Sequence, residues 1–423
     1  MAWLPIIVGA IVGLAALSYV SFLAARWFFV PRFPDEIHFG TTDDGWRIAV
    51  IRYRPNGPPK QLPVLLVHGL ASNRYNLDFM DDLSLARDLA GRGFDVWLVE
   101  LRGRGYSLRP RLFSNIKYNW CFDDYAERDL PCAADVVARV TGAPQLHLVG
   151  FSTGALACYA WVASPHRRVE VASLVSIGGA ASFKRLGRTL SGRLIRSVRF
   201  LRHRWILRVL APISGHWHPS PLQIIYNPEN ADGPTQRRAM VNMIANFSRN
   251  ELLQYSDWIL NDVFRSIDQR RDYRGELNRV TVPTLLLAGP RDVLSPPDAV
   301  KETHDALGAS DKQFTICSRA QGCTVNYGHF DLVIGQKAPV EVYPLVAGWL
   351  SAHDTPSVHQ QHERQRHSND NGNGGDAERR EGVAGGLVLG RPEEQRQRLH
   401  ADDDRVGEAG EMPDHAHDTQ VRD

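Results

Sequence analysis

The chain has 423 residues, 43% of them hydrophobic, and a formal net charge of +2. That is enough apolar material for one large folded domain with extensions. The net charge says nothing about partners, and with no Lys/Arg block interleaved with aromatics, nucleic acid is not among those expected. Five cysteines (Cys121, Cys132, Cys158, Cys317 and Cys323) are dispersed without metal-ligand spacing or a disulfide framework. No metal or organic cofactor is expected. Cys317 and Cys323 are close enough to close a small loop in an oxidising compartment, but two free thiols is the favoured reading.

Residues 1–32 read as a transmembrane anchor. Leu4 to Ala25 carries no charge, and a helix crosses the bilayer core in roughly 20 residues. Arg26, Trp27, Phe28, Phe29 and Arg32 follow, as a snorkelling cation and aromatic belt would. A cleavable signal peptide is the alternative, but its usual basic n-region is missing from Met1-Ala2-Trp3.

A globular segment follows, to about Asp354. Asp43-Asp44-Gly45 separates Ile37 to Phe39 from Arg47 to Tyr53, a predicted hairpin. Strands are then predicted at Val64–Val67, Val96–Val99, Leu146–Val149, Val171–Ile177, Thr284–Ala288 and Gln313–Ile316. Helices are predicted at Leu83–Ala90, Tyr125–Val140, Ala155–Ala163 and about Val340–Leu350. Such alternation predicts an α/β fold, a mostly parallel sheet with helices on both faces. Between Lys184 and Val280 no strand interrupts, so an inserted helical cap is expected there. The predicted organisation is a first core part (33–183), the cap (184–280), a second core part (281–354) and a disordered tail (355–423). The tail is polar and almost without aromatics, and buries too little to offset its ordering entropy.

Gly150-Phe151-Ser152-Thr153-Gly154 lies where a buried strand turns into a helix of small residues. Only small neighbours fit so tight a turn, which lifts the serine hydroxyl clear of the sheet. The pattern resembles the nucleophile elbow of an α/β-hydrolase. Serine is a weak nucleophile alone and needs a base, a group to orient that base, and oxyanion donors. In this fold they come in the order Ser, acid, His, from loops at strand carboxyl ends. Asp292 follows the strand Thr284–Ala288, and His329 follows the last strand. Ser152, Asp292 and His329 are therefore the candidate catalytic residues. His304, His216, His218 and His353 fit less well by position. Asp298 and Asp331 are read as helix caps. The amides of Thr153 and Leu70 are the candidate oxyanion donors, and His68 is read as bracing its own loop.

Several segments in register resemble the acid lipases of the gastric and lysosomal type. Pro34-Asp35-Glu36 through Gly45-Trp46 resembles their amino-terminal segment, and His68-Gly69-Leu70-Ala71-Ser72 their oxyanion loop. Gly93 to Leu98 with Arg102-Gly103 is similar to the next strand and turn, and Phe122-Asp123-Asp124 with Asp129-Leu130-Pro131 to the helix before the elbow. Gln145 to Gly150 leads into the serine in the same manner. Gly328-His329-Phe330-Asp331 and Ala338 to Tyr343 resemble the histidine loop and last helix. The resemblance implies carboxylic ester hydrolysis with the same three catalytic residues and two donors. It departs where that family usually has His and Gln beside the serine, here Phe151 and Thr153, and in the cap.

Arg185, Arg188, Arg193, Arg196, Arg199, Arg202, Arg204 and Arg208 crowd the start of the cap. Leu194, Val198, Leu201, Trp205 and Val209 recur there at helical spacing. A basic amphipathic face on anionic lipid and an ordinary solvated face both fit this pattern. The sequence as a whole predicts a membrane-anchored serine hydrolase acting on an ester or lipid substrate. An acyltransferase of the same fold and a non-catalytic anchored scaffold are the alternatives. Basic residues after the span and none before it favour a catalytic domain on the cytoplasmic side. Oligomeric state is not encoded in any recognised motif.

Overall fold

The computed structural model describes residues 3–110, 116–189, 203–216 and 226–355. The arginines from Arg193 to Arg202, with Leu194, Val198 and Leu201, lie outside the described residues, as does the chain from residue 356 onward.

Eight strands form one sheet in the order β1-β2-β4-β3-β5-β6-β7-β8. They are β1 (Glu36–Thr41), β2 (Arg47–Tyr53), β3 (Val64–Val67), β4 (Val96–Glu100), β5 (Gln145–Phe151), β6 (Glu170–Ile177), β7 (Thr284–Ala288) and β8 (Lys312–Ile316). β1 and β2 pair antiparallel, β2 joins β4 antiparallel, and every later pairing is parallel. A continuous apolar strand suits a sheet covered on both faces. In β3, Leu65 and Val67 face one apolar core with Trp97, Leu148 and Leu156, while Val64 and Leu66 face the other with Phe94, Val149 and Leu332.

In chain order the helices are α1 (Trp3–Trp27), α2 (Leu85–Gly91), α3 (Phe122–Asp124), α4 (Leu130–Thr141), α5 (Thr153–Val162), α6 (Lys184–Thr189), α7 (His203–Leu210), α8 (Gly233–Asn242), α9 (Arg249–Asn261), α10 (Pro297–Ala306), α11 (Asp331–Ile334), α12 (Ala338–Glu341) and α13 (Tyr343–Ala352). The helix expected at Tyr125–Val140 is longer. It starts at Phe122 and widens into a π-turn over Tyr125–Asp129 before α4. The final helix is two, with Pro344 in the first turn of α13. Between β6 and β7 the described residues hold α6 to α9 and no strand, a helical insertion in the sheet.

The insertion is fastened to the core by buried charge. Arg104 donates to both Glu251 oxygens at 2.9 and 3.0 Å, and the Tyr125 hydroxyl donates to Glu251 Oε1 at 2.5 Å. Glu251 also completes a capping box on Ser248 at the start of α9. Trp258 of α9 is fully buried, edge-on to Phe122 at 4.9 Å between ring centres.

α1 is long and apolar enough to cross a membrane, and most of its surface is exposed. Its end is docked: Ala24 packs with Ala211, Met240 and Val241, and Phe28 and Leu207 pack beside them. Arg32, grouped with the flanking basic residues in the sequence, is instead buried against Asp78 at 2.6 Å. A cation at that depth needs a fixed carboxylate, and Asp78 also accepts from the Tyr53 hydroxyl at 2.7 Å.

Removing one member of a buried pair leaves an uncompensated charge. Glu251→Ala is therefore expected to cost about 3 kcal/mol or more, measured by urea unfolding in detergent. Asp305→Ala, which breaks the exposed pair with Lys301, is expected to leave the unfolding midpoint nearly unchanged, since solvent screens such a pair.

Candidate active site

The site lies at the carboxyl ends of β3, β5, β6, β7 and β8. Ser152 follows β5 with φ 55° and ψ −122°, a conformation that L residues rarely adopt. It is held there by close packing. A Cβ on Gly150 would sit 2.4 Å from Ala155 Cα, and one on Gly154 would sit 2.2 Å from the Val67 carbonyl oxygen. Both glycines of the motif are therefore required by contact.

His329 Nε2 lies 2.9 Å from Ser152 Oγ, and His329 Nδ1 lies 2.7 Å from Asp292 Oδ2. Asp292 is fixed independently, since its Oδ1 accepts the amides of Leu294 at 2.9 Å and Ser295 at 2.8 Å. Its other oxygen accepts the Nδ1 proton of His329, which leaves the Nε2 lone pair facing the serine hydroxyl. His329 and Asp292 are each 2% exposed, and Ser152 is half-buried. Phe151 and Phe330 pack against the imidazole with ring centres at 5.0 and 5.5 Å. Thus Phe151, one of the two departures beside the serine, makes a wall for the histidine.

Gly178, after β6, has φ +60°, and a Cβ there would come within 3.3 Å of His329 and 3.5 Å of Asp292 Oδ2. No acid stands at this strand end. The Asp292 and His329 loops are joined by Arg291 N–H donating to the Tyr327 carbonyl at 2.9 Å.

The amides of Leu70 and Thr153 donate to no acceptor among the described residues. Thr153 opens α5, whose partial positive end also faces the site. Gly69 N–H is held by Asn76 Oδ1 at 3.0 Å, and Ala71 takes φ 46°. The loop is stitched to the insertion: Ser72 Oγ donates to Met243 O at 2.7 Å, Asn73 Nδ2 to Asn242 O at 2.8 Å, and Ala245 N to Ala71 O at 2.7 Å.

His68 braces this loop. Leu101 N–H donates to Nε2 at 3.2 Å, so Nδ1 carries the proton and donates to Gly69 O at 2.9 Å. Burial pushes the imidazole down to about 4, so it is neutral at pH 7.

Three residues were not legible as parts of the site. Asp331, expected to cap its own helix, instead accepts Gly328 N–H at 2.8 Å and Asn227 N–H at 2.9 and 3.0 Å. It ties the histidine loop to the insertion. Burial pushes its carboxyl up to about 7 against the pull of those amides. Asn227 in turn accepts from Arg291 at 2.8 Å. Tyr255 of α9 donates its hydroxyl to Thr153 Oγ1 at 2.6 Å. Only Asp331 carried a sequence signal, as an acid two residues after the histidine. His304, as expected, pairs with Asp305 far from the serine in the chain.

A small apolar cavity of about 50 Å³ adjoins Phe330, walled by Met240, Met243, Ile244 and Ile334. A larger one of about 420 Å³, lined by Arg128, Asp135, Arg139 and Arg168, contains none of the three candidate catalytic residues. Among the described residues no cluster of His, Cys, Asp or Glu could hold a metal ion, and all five cysteines are free thiols.

A family model, Hydrolase_4 (serine aminopeptidase, S33), matches residues 58–321. The chain belongs to this family. It is an α/β-hydrolase with a lipase-like sequence. It is 31% identical over 180 residues to human gastric triacylglycerol lipase, covering 40% of this chain and 44% of the lipase. It is 24% identical over 369 residues to human lipase member N, covering 76% of this chain and 89% of that protein. The chain spans less than half the length of the first curated relatives it matches. Among solved structures it is similar to an esterase from Thermogutta terrifontis, with 19% identity, a TM-score of 0.47, and 76% and 100% of the two chains covered.

The His68 geometry gives a pH prediction. The unfolded chain takes a proton at this imidazole near pH 6.5, whereas the folded chain resists until about pH 4. Between those values the unfolded state binds more protons, so the His68 contribution falls as pH drops, by up to about 3 kcal/mol. Asp331 acts in the opposite sense over much of this window but is common to both proteins compared. As pH falls from 6.5 to 4.0, the stability of wild type relative to His68→Gln should therefore fall by up to about 3 kcal/mol, measured by unfolding both proteins across that range. Identical slopes would exclude a buried neutral His68.

Proposed function

We propose that the chain is a membrane-anchored serine hydrolase that cleaves carboxylic esters through an acyl-enzyme on Ser152. The observation that carries this reading is His329 bridging Ser152 and Asp292 within hydrogen-bond reach of both. His329 Nε2 takes the hydroxyl proton as Ser152 Oγ attacks the ester carbon, and Asp292 stabilises the imidazolium. The carbonyl electron pair moves onto oxygen, which the amides of Leu70 and Thr153 receive. Collapse expels the alcohol with the proton from His329, and water then repeats the sequence to release the acid.

The same constellation serves amide bonds, and the family description names an aminopeptidase. An ester with an apolar acyl group is favoured by the cavity beside Phe330, where no carboxylate stands among the described lining residues to bind an amino terminus. The curated relatives named as lipases support the same choice. The cap is assigned to 184–280, between core parts 33–183 and 281–354, and α1 within 1–32 acts as a retained anchor. Membrane lipid is thus both surroundings and source of substrate. The basic flank after α1 favours a cytoplasmic catalytic domain.

Full-length protein in detergent is expected to label with a fluorophosphonate and hydrolyse p-nitrophenyl esters faster than aminoacyl p-nitroanilides. Ser152→Ala should lose labelling and on the order of 10⁶ in kcat, His329→Ala a comparable amount, and Asp292→Asn less. Retention of a tenth of the esterase activity by Ser152→Ala would refute the assignment, and acyl transfer to added alcohol in preference to water would identify a transferase. For topology, a reporter fused after Leu350 should fluoresce as a cytosolic fusion. Strong alkaline phosphatase activity from the corresponding fusion, or a mature chain starting after Ala25, would overturn the placement.

A further inference from the structure

Tyr255 and Thr153 present an incomplete hydrogen-bond count. Their oxygens are 2.6 Å apart, and neither has another partner among the described residues. Two hydroxyls hold two protons but share a single hydrogen bond, so one O–H is left without an acceptor. Both residues are buried, Thr153 at 3% and Tyr255 at 8% exposed. An unmatched donor in such a place is destabilising unless an acceptor is supplied. The phenol is the stronger acid and the aliphatic hydroxyl the better acceptor, so Tyr255 donates and the Thr153 proton is the one left over. Burial raises the Tyr255 phenol well above its ordinary value, which keeps its own proton in place.

Covalent geometry limits how far the leftover proton lies from the Thr153 amide. Thr153 Oγ1 is three bonds from the amide nitrogen of its own residue, which limits their separation to about 4 Å. An oxygen bound by the Thr153 amide is therefore within reach of the Thr153 hydroxyl.

We propose that the Thr153 hydroxyl, polarised by Tyr255, is a third hydrogen-bond donor to the oxyanion beside the amides of Thr153 and Leu70. The proposal rests on the serine ester hydrolase reading above. As Ser152 Oγ bonds to the carbonyl carbon, the π pair moves onto the carbonyl oxygen and the serine proton moves to His329. The Thr153 O–H keeps its proton throughout, and its hydrogen bond tightens as charge grows on that oxygen. Thr153 is thereby a catalytic residue, and Tyr255, supplied by the insertion, is a positioning residue.

The test uses full-length protein in detergent, p-nitrophenyl butyrate, and a trifluoromethyl ketone that forms a tetrahedral adduct with the serine. Fluorophosphonate labelling of wild type comes first, and its absence would remove the serine hydrolase reading and the proposal with it. Once labelling is shown, the unlabelled Thr153→Val enzyme should have a kcat about 30-fold below that of unlabelled wild type. KM should stay within about threefold, with ketone affinity falling in parallel with kcat. Thr153→Ser, which restores the hydroxyl, should recover most of the loss. Tyr255→Phe should lose about fivefold, and the double variant Thr153→Val/Tyr255→Phe should be no slower than Thr153→Val alone, since one donor is removed in both. Should Thr153→Val fail to fold, Tyr255→Phe and Thr153→Ser carry the same comparison. A Thr153→Val enzyme within about threefold of wild-type kcat would overturn the proposal. So would a loss confined to KM, unchanged ketone affinity, or Thr153→Ser as slow as Thr153→Val.

Discussion

The strand-to-helix turn at Ser152 is the constraint on which the rest of the site depends. A non-glycine residue at φ 55° costs on the order of 1–3 kcal/mol and persists only where its surroundings leave no alternative. Here those surroundings are backbone. α5 is pressed so closely on β3 that Gly154 faces the Val67 carbonyl oxygen, and Gly150 faces the first turn of α5. One geometric demand thus selects residues at several places in the sequence. Gly69 must clear Phe151 and Ser152, and Gly178 must clear His329 and Asp292.

Parallel pairing turns this local strain into a site. Val67 pairs with Gly150, Phe151 with Ile177, and Ile177 with Leu287, so the loops after β3, β5, β6 and β7 emerge side by side. Asp292 and His329 come from separate loops, and each is held by backbone before they meet. Two amides fix Asp292, and Asp331 fixes the start of the histidine loop through Gly328. Little side-chain entropy remains to be lost at the reacting groups, the condition for preorganised electrostatic stabilisation.

The core was largely legible because its signals are local. Continuous apolar runs such as Val64–Val67 and Thr284–Ala288 coincide with strands in the structure, since a strand buried on both faces admits little else. The elbow and the order of Ser152, Asp292 and His329 were legible for a related reason, as Ser152 stands directly after a strand and the other two stand in the loops that follow β7 and β8. What escaped were residues whose roles are set by partners distant in sequence. Asp331 follows a histidine and opens a helix, which reads as a cap, yet its partner is Asn227, about a hundred residues earlier. Tyr255 lies in no motif of the sequence, and only the fold brings it to Thr153. The widened turn at Tyr125–Asp129 shows the same limit: Tyr125 is turned to reach Glu251, a buried partner that no helical periodicity can reveal.

Asn242 shows how far such non-local bonding extends. Its side chain donates to Phe28 O at 2.9 Å and accepts Val30 N–H at 3.1 Å, closing the end of α1. Its own carbonyl accepts from Asn73 in the loop that carries Leu70. Tyr75, from that loop, donates back to Val30 O at 2.6 Å. The exit from α1, the end of α8 and the Leu70 loop therefore share one set of buried or half-buried hydrogen bonds. A flexible linker needs no such bonds and would leave these backbone groups to water. These groups are matched within the protein instead, so α1 ends as part of the domain and not as a loose tether beside it.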